Sequence, residues 1–501
     1  MSRYLVGHAQ KRKKNMADND NLAHVGLIGL AVMGQNLALN IADHGYSIAV
    51  YNRTTATTTE FVAGAEDSQD VRATETIEEF VAALERPRRI LLLVKAGKVV
   101  DLVIEQLLPF LEEGDIVVDC GNSLFTDSER RTAELAPEGV RFVGSGVSGG
   151  EEGARNGPSI MPGGDATAWP EIQEVLQAIS AKAGPNNDEP CCSWIGSGGS
   201  GHYVKMVHNG IEYGDMQVLA EAHLLLGSLG QSADDMAATF TDWNQGRLKS
   251  YLVEITSEIF AAKDDDGTPM IDVILDAAGQ KGTGKWTVIS AMELGQPLML
   301  VSEAVGARIV SSFVETRRRA EEILSGPANP SVGELTAADV EAAVYAAKLV
   351  SYAQGFMLLA DASRENEWSL DLGAIARLWR GGCIIRAVFL DDISRAYADN
   401  PDLENLLFDS FFADEIKTAQ EGLRKAVVAA AQAGIATPAL SSALSFYDGF
   451  RLGRGSANII QAQRDYFGAH TFERVDKPRG EWFHRDWAET GGSAVSGSYS
   501  A

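Results

Sequence analysis

The stretch HVGLIGLAVMGQNLALNI, residues 24–41, decides the fold of the first part of the chain. Its apolar run Val25–Ile28 is typical of a buried strand, and the residues after Gly34 repeat with helical spacing. Between them, Gly29, Ala31 and Gly34 form a G-x-A-x-x-G pattern. Small residues between a strand and a helix let the backbone approach a pyrophosphate at the helix N-terminus. Glycines alone would also fit a tight turn, but the strand–turn–helix context favours a Rossmann-type dinucleotide-binding domain.

The end of the second strand indicates which dinucleotide is bound. The apolar stretch 47–51 is followed by Asn52, Arg53 and Thr54. A domain that binds NAD usually has Asp or Glu at this place, hydrogen-bonded to the ribose 2′-hydroxyl. An amide, a guanidinium and a hydroxyl suit a 2′-phosphate instead, although an ordinary charged turn has the same composition. The sequence therefore predicts NADP rather than NAD.

Two later strands and a glycine-rich loop extend this ligand site. One apolar strand pattern ends at Lys95, and the next ends at Asp119, close to Asn122. Because the carboxyl ends of parallel strands face the ligand crevice, Lys95 and Asn122 are candidate contacts to cofactor or substrate. Glycines surround Ser148 in the stretch 146–154, where backbone N–H groups could converge on an anion. A flexible loop is the alternative for that stretch.

The stretch GHYVKMVHNGIEY, residues 201–213, carries the candidate catalytic groups. At helical spacing, Lys205, His208, Asn209 and Glu212 share one side of a helix, and apolar residues gather on the other. An amine and a carboxylate two turns apart could act as base and acid on a small substrate. The alternative is an amphipathic helix with a solvated polar face.

A glycine-rich stretch, 279–286, resembles a phosphate-binding P-loop but departs from it. It matches G-x-x-x-x-G-K, but Trp286 stands where Mg²⁺ needs Ser or Thr, and no strand pattern precedes it. Both departures argue against the P-loop of a nucleotide triphosphatase. Lys281 and Thr283 could still hold a single phosphate ester, with Arg308 as a second positive charge or as an ordinary surface arginine.

Composition narrows the class of protein. The chain has 501 residues and a formal net charge of -26, which argues against binding to nucleic acid or to anionic membranes. The sequence has no run of about 18 apolar residues, so it predicts no transmembrane span. The four cysteines show no C-x-x-C or His/Cys pairing, which fits a reducing cytoplasm and predicts no zinc site. The sequence also has no cluster of carboxylates and histidines, so it predicts no site for another metal.

The predicted fold class is an α/β Rossmann-type N-terminal domain, a large all-α domain and an extended C-terminal tail. Residues 1–21 form a basic, disordered extension, for which a transit peptide is the alternative; residues 22–200 bind the dinucleotide; residues 201–470 are helical. Residues 471–501 are too polar for a core of their own but carry aromatic side chains. We expect this tail to dock on a partner subunit, with a disordered tail as the alternative.

Eight motifs together resemble the decarboxylating 6-phosphogluconate dehydrogenase family. They stand in the order of that family from about residue 22 to the C-terminus: LAVMGQN at 30–36, NRT at 52–54, LVKAG at 93–97, DCGNS at 119–123, GVSGGEEGAR at 146–155, KMVHNGIEY at 205–213, QKGTGKW at 280–286 and QAQRDYFGAH at 461–470.

The resemblance implies a role for each matching residue. NADP would be bound by Gly29, Leu30, Ala31, Val32, Met33, Gly34, Asn52, Arg53, Thr54, Val94, Lys95, Ala96 and Asn122. The sugar acid would be held by Asn122, Ser148, Gly149, Gly150, His208, Asn209 and Tyr213, and its phosphate by Lys281, Thr283 and Arg308. Arg464 and His470 would come from the other subunit of a homodimer.

The resemblance also implies the reaction: 6-phosphogluconate is oxidised and decarboxylated to ribulose 5-phosphate in the oxidative pentose phosphate pathway. Lys205 would be the general base and Glu212 the general acid. Two other functions stay open. A β-hydroxyacid dehydrogenase for smaller substrates would not need the loop of Lys281 or the segment of Arg464. A non-catalytic NADP-binding sensor would not need Lys205 or Glu212.

Overall fold

The computed structural model describes residues 22–487, and its first part is a seven-stranded sheet. The strands are β1 (Val25–Ile28), β2 (Ile48–Tyr51), β3 (Val71–Ala73), β4 (Arg89–Leu92), β5 (Ile116–Asp119), β6 (Arg141–Val147) and β7 (Ile160–Gly164). Their order is β3-β2-β1-β4-β5-β6-β7, with β1 to β6 parallel and β7 antiparallel to β6. The first six strands have the order of a doubly wound dinucleotide-binding fold.

Helices cover both faces of this sheet. They are α1 (Val32–Asp43), α2 (Thr55–Ala63), α3 (Ile77–Ala82), α4 (Lys98–Leu107), α5 (Phe125–Leu135), α6 (Gly150–Asn156) and α7 (Trp169–Ile179). Successive residues of a strand point to opposite faces, so Leu27 joins one apolar cluster and Ile28 the other. Because both clusters consist of buried apolar residues, the polar residues at the strand ends are left as the ligand-facing edge.

The chain after a short β-ribbon, β8 (Lys182–Ala183) with β9 (Glu189–Pro190), is helical. The helices are α8 (Ser200–Ser228), α9 (Ala233–Trp243), α10 (Tyr251–Ala261), α11 (Met270–Val273), α12 (Thr283–Glu293), α13 (Met299–Ser311), α14 (Val314–Ile323), α15 (Ala337–Glu365), α16 (Leu372–Leu378), α17 (Leu390–Asp399), α18 (Ser410–Ala433), α19 (Pro438–Phe450) and α20 (Ala457–Gly468).

Two long helices, α8 and α15, form the centre of this helical part. They pack closely where Gly355 leaves room for Val207 and Ile211, and a buried ion pair joins Asp215 to Lys348. By length and composition α15 could cross a membrane, but 89% of its apolar window is buried inside the protein. Such burial is typical of the central helix of a folded core.

The chain divides into two compact units after Ser442. In the second unit, β10 (Phe472–Glu473) pairs antiparallel with β11 (Trp482–Phe483) after α20. The buried carboxylate of Asp465 accepts hydrogen bonds from the side chains of His484 and Trp487, at 2.9 and 2.7 Å. The sheet followed by a large helical part confirms the predicted fold class. The predicted tail residues 488–501 and the extension 1–21 lie outside the described residues.

Candidate active site

The loop between β1 and α1 brings backbone close to backbone, as a pyrophosphate site requires. Gly29 has φ +104°, and a Cβ on it would overlap the carbonyl oxygen of Leu93. A Cβ on Gly34 would overlap the carbonyl oxygen of Gly29. Since Ala31 is the N-cap and has no capping side chain, the first N–H groups of α1 are available to a ligand.

The end of β2 is coupled to this loop by Asn52. Its Oδ1 accepts a hydrogen bond from the backbone N–H of Leu30 at 3.2 Å, which sets the two strand ends beside each other. Arg53 and Thr54 follow, and both are exposed. Within residues 22–487, the Arg53 side chain has no hydrogen bond or ion pair, so its charge is available to an anion.

The ends of β4 and β5 place Lys95 and Asn122 at the same edge of the sheet, both exposed. The turn that carries Asn122 is held by Asp119, whose carboxylate accepts from the N–H of Gly121 at 3.0 Å and from Ser123 Oγ at 2.6 Å. Arg131 Nη1 donates to the same carboxylate at 3.2 Å. Sequence reasoning missed Arg131, because its pairing depends on how α5 folds back over the strand end.

Lys205 lies buried where α8 packs on β6. A Cβ on Gly146 would overlap the Lys205 side chain, so the glycine makes room for it. The amine donates to Ser148 Oγ at 2.9 Å and lies 3.3 Å from His208 Nδ1. Burial lowers the pKa of Lys205 to about 8, against the opposing field of Glu212. Lys205 is only 6% exposed, so this helix face is not the solvated surface of the alternative interpretation.

His208 connects Ser148 to Asn209. Its Nε2 lies 3.3 Å from Ser148 Oγ, and its Nδ1 lies 3.0 Å from Asn209 Oδ1. Burial and the nearby Lys205 lower the pKa of His208 well below its ordinary value, so the ring is neutral. With its proton on Nδ1, the ring donates to Asn209 Oδ1 and accepts the Ser148 hydroxyl proton at Nε2. Each polar atom of this short chain then has a matched partner.

Glu212 lies one turn further along α8, with Oε2 4.0 Å from His208 Nδ1. Burial raises its pKa, and the positive charges of Lys205 and Arg308 act in the opposite direction. The side chain is still 21% exposed, unlike His208, which is fully buried. A carboxyl with a raised pKa at the edge of a buried cluster is suited to deliver a proton to a substrate.

The candidate phosphate contacts surround the start of α12. The hydroxyl of Thr283 accepts from Asn209 Nδ2 at 3.3 Å, which ties the start of α12 to α8. Gly284 packs against the Tyr213 ring, and the Arg308 guanidinium lies 3.6 Å above the centre of that ring. Lys281 is exposed just before the helix and close enough to affect the pKa of Glu212. The structure thus gathers the predicted phosphate contacts of this part of the chain beside α8.

The two remaining predicted residues belong to the second unit. Arg464 lies on α20 and donates to Gln461 Oε1 at 3.0 Å, and His470 lies in the turn after that helix. Tyr466 and Phe467, between them, are 63% and 74% exposed. Among residues 22–487, no three His, Cys, Asp or Glu side chains form a group that could hold a metal ion.

Comparison with known proteins places the whole chain in one family. Residues 24–196 match the model of the NAD binding domain of 6-phosphogluconate dehydrogenase, and residues 201–487 match the model of its C-terminal domain. A decarboxylating 6-phosphogluconate dehydrogenase of Dictyostelium discoideum is 53% identical over 95% of this chain and 98% of its own length. One from Cunninghamella elegans is 54% identical over 96% of this chain and 99% of its own.

A solved structure agrees with the sequence comparisons. The Plasmodium falciparum 6-phosphogluconate dehydrogenase, solved apo, with its cofactor NADP⁺ and with its substrate 6-phosphogluconate, superposes with a TM-score of 0.87. It is 45% identical and covers 93% of this chain and 100% of its own. These matches confirm the family predicted from the motifs. The chain belongs to the 6-phosphogluconate dehydrogenase family.

Proposed function

We propose that this protein oxidises and decarboxylates 6-phospho-D-gluconate to D-ribulose 5-phosphate and CO₂, with reduction of NADP to NADPH. The observation that carries the proposal is the buried cluster of Lys205, Ser148 and His208 beside the candidate phosphate contacts at the start of α12. Its support from outside the chain is the activity named for relatives more than half identical over nearly the whole chain. The pathway is the oxidative pentose phosphate pathway.

The groups that would bind NADP fit that cofactor. The close backbone approach at Gly29 and Gly34 leaves room for a pyrophosphate, and Arg53 is placed for a 2′-phosphate. Lys95 and Asn122 line the same sheet edge. The chemistry that NADP supplies when bound is acceptance of a hydride from the carbon being oxidised.

Lys205 acts as the base in the oxidation. With a pKa of about 8, a substantial fraction of the amine is neutral near physiological pH and can take the proton of the C3 hydroxyl. The hydrogen bond to Ser148 Oγ holds the amine in one position beside His208, so little reorganisation is needed. Loss of the hydroxyl proton and of a hydride from C3 leaves a 3-keto acid.

The keto acid then loses CO₂. The bond between C1 and C2 breaks, and its electron pair moves toward the C3 carbonyl, whose oxygen takes negative charge. Protonated Lys205 stabilises that charge. Glu212, whose pKa is raised by burial, donates a proton to the carbon that becomes C1 of the product. The base and acid are thus two groups of one helix face.

The test follows NADPH formation and CO₂ release together, with 6-phosphogluconate as substrate and NADP or NAD as acceptor. We expect one CO₂ for each NADPH, with NADP preferred. Reduction without CO₂ would favour the simpler hydroxyacid dehydrogenase. Folded protein that binds NADP but turns over no substrate would favour the sensor.

We also propose that the protein is a homodimer whose subunits complete each other's sites. The described residues expose many large apolar side chains, which are typical of a surface covered by another chain. They include Ile274, Leu275, Val310, Phe313, Ile323 and Leu324 in the helical part and Ile459, Ile460, Tyr466 and Phe467 on α20. Arg464 and His470, beside the second group, would contact the phosphate bound by the partner.

Subunit complementation tests this exchange. Lys205→Met and Arg464→Ala variants are each purified, then mixed, unfolded and refolded together. If Arg464 acts across the interface, a mixed dimer has one site with both groups intact, and about a quarter of wild-type activity returns. If Arg464 serves its own subunit, the mixture stays inactive. Refolding each variant alone is the control.

Two further assignments are proposed with this function. The domain limits are 22–200 for the dinucleotide-binding domain, 201–470 for the helical domain and 471–501 for the tail. The location is cytoplasmic, because the four cysteines are free and buried, as in a reducing compartment. Limited proteolysis and cell fractionation would test them.

A further inference from the structure

The turn Trp379–Cys383, which follows α16, touches both His208 and the loop that carries Ser148. It reads WRGGC and has no role in the reaction proposed above. Trp379 is fully buried, and Cys383 Sγ donates to its carbonyl oxygen at 3.1 Å, which closes the turn. The turn therefore holds a large rigid side chain in the protein interior.

The Trp379 ring packs on the ring of His208. Its centre lies 5.5 Å from that of His208, with an angle of 77° between the rings, and Phe356 packs on it at the same distance. This is the edge-to-face arrangement that aromatic pairs favour. Within residues 22–487 the indole Nε1 has no hydrogen-bond partner, so the two rings meet through packing and not through a hydrogen bond. This packing excludes water from the ring that bonds Ser148.

The glycines of the same turn hold the loop that carries Ser148. The carbonyl oxygen of Gly382 accepts from the N–H of Ser159 at 2.8 Å, and the carbonyl of Ser159 accepts from the N–H of Ser148 at 3.0 Å. Gly382 has φ +63°, and a Cβ on it would collide with the backbone of residues 157–159. Gly149, next to Ser148, packs on the same Gly382 carbonyl. The turn thus contacts both residues of the hydrogen bond between Ser148 Oγ and His208 Nε2.

We propose that Trp379 and Gly382 are positioning residues that fix His208 and Ser148, and through them the base Lys205. The effect on Lys205 as a base rests on the proposed function, but the contacts of Trp379 and Gly382 do not depend on it. Charged or titratable groups near His208 are Lys205 and Glu212 on its own helix; Cys383, on the turn, is in electrostatic reach of both. Trp379 carries no charge, so its effect on His208 is steric and through exclusion of water.

The first readout is independent of turnover. Diethyl pyrocarbonate modifies accessible neutral imidazoles, and mass spectrometry locates the modified residue. In full-length protein at neutral pH, we expect His208 to be protected in wild type and in Trp379→Phe. In Trp379→Ala, water and reagent reach the ring, and its modification rate rises about tenfold or more.

The second readout separates positioning from loss of stability. We expect kcat of Trp379→Ala to fall about tenfold to a hundredfold with KM changed less, because a misplaced group acts mainly in the transition state. The acidic limb of the pH profile, which reports deprotonation of Lys205, moves to higher pH, since water that enters the cluster relieves the burial that lowers the Lys205 pKa. Trp379→Phe recovers most of kcat and the wild-type profile. Gly382→Ala lowers kcat without exposing His208.

Trp243→Ala is the matched control, because this buried tryptophan packs on Phe240 in α9. It should lose stability yet keep His208 protected and the pH profile unchanged. Protection of His208 in Trp379→Ala, or the same losses in Trp243→Ala, would overturn the proposal. If Trp379→Ala does not fold, Trp379→Leu supplies the same labelling comparison. A wild type without turnover would count against the proposed function alone, since the labelling result stands without it.

Discussion

The cluster proposed for proton transfer and the cations proposed to bind anions are built on opposite principles. The cluster consists of Ser148, Lys205 and His208, all buried and joined by hydrogen bonds. The two cations, Arg53 and Lys281, are exposed and have no hydrogen bond or ion pair in the described part of the chain. The side chains of the cluster are already joined to one another in the folded chain, and the two cations are left free to meet a ligand.

The difference follows from what each region must do. A base that works near neutral pH needs its pKa lowered, and only burial lowers the pKa of Lys205 this far. A cation that binds phosphate needs its full charge and freedom to reach the ligand, and exposure preserves both. Damage to the cluster should therefore reduce kcat, and damage to the cations should weaken binding.

The largest expected effect comes from replacing the base. Lys205→Met keeps the length of the side chain and removes the amine, so kcat should fall about 10³–10⁴-fold. Binding of NADP and 6-phosphogluconate, measured by calorimetry, should change little. Near-normal turnover would remove Lys205 from the mechanism and erase the contrast between the two regions.

The Lys205→Met variant should also show how much burial of the charged amine lowers the free energy of unfolding. The pKa of Lys205 falls from 10.5 to about 8 on folding, so below pH 8 both states are protonated and the folded state bears the full cost. Between pH 8 and 10.5 the unfolded chain holds more protons, and stability rises with pH. Lys205→Met should thus be more stable near pH 7, by up to about 3 kcal/mol, with a gap that closes above pH 8. Denaturation midpoints at pH 7, 8.5 and 10 measure the gap; a gap independent of pH would contradict the burial.

Removal of the exposed Arg53 should change cofactor choice without changing chemistry. Arg53→Ala should weaken NADP binding roughly tenfold to a hundredfold, because charge-assisted hydrogen bonds to the 2′-phosphate are lost. NAD, which lacks that phosphate, is the control and should bind almost as before. Titration of wild type and Arg53→Ala with each cofactor gives the loss of affinity for NADP relative to that for NAD. Equal losses would exclude a contact to the 2′-phosphate.

The smallest effect is expected at Lys281. Lys281→Ala should raise KM for 6-phosphogluconate about tenfold and leave kcat nearly unchanged, since the phosphate is held equally before and during the reaction. The matched control is Lys285→Ala, an exposed cation on α12 with no assigned contact. Steady-state kinetics of both variants measure the changes in KM and kcat. A fall in kcat alone would place Lys281 in the proton-transfer cluster instead.

Much of the fold and the family could be predicted because their signals are local. The G-x-A-x-x-G pattern at Gly29 lies between a strand and a helix that are contiguous in the chain, and the structure shows both. The polar face from Lys205 to Glu212 follows from helical spacing alone. The glycines around Ser148, in contrast, left a flexible loop open, and the structure shows helix α6 starting at Gly150.

Other parts of the site could not be predicted, because they depend on contacts between distant stretches. Arg131 supports the turn of Asn122 from a different element. Trp379, far along the chain, packs on His208, and nothing in the sequence around it indicates this contact. No spacing in the sequence relates these residues.

The sequence by itself determined the order of elements, the glycines that admit a cofactor and the amine, imidazole and carboxylate of one helix face. Only the tertiary structure decided that this face is buried rather than solvated. That decision controls the chemistry, because the pKa of an amine depends on the water around it, and water is excluded by residues from β6, the Ser148 loop and the Trp379 turn together. Burial is a property of the packed chain, and no single stretch carries it.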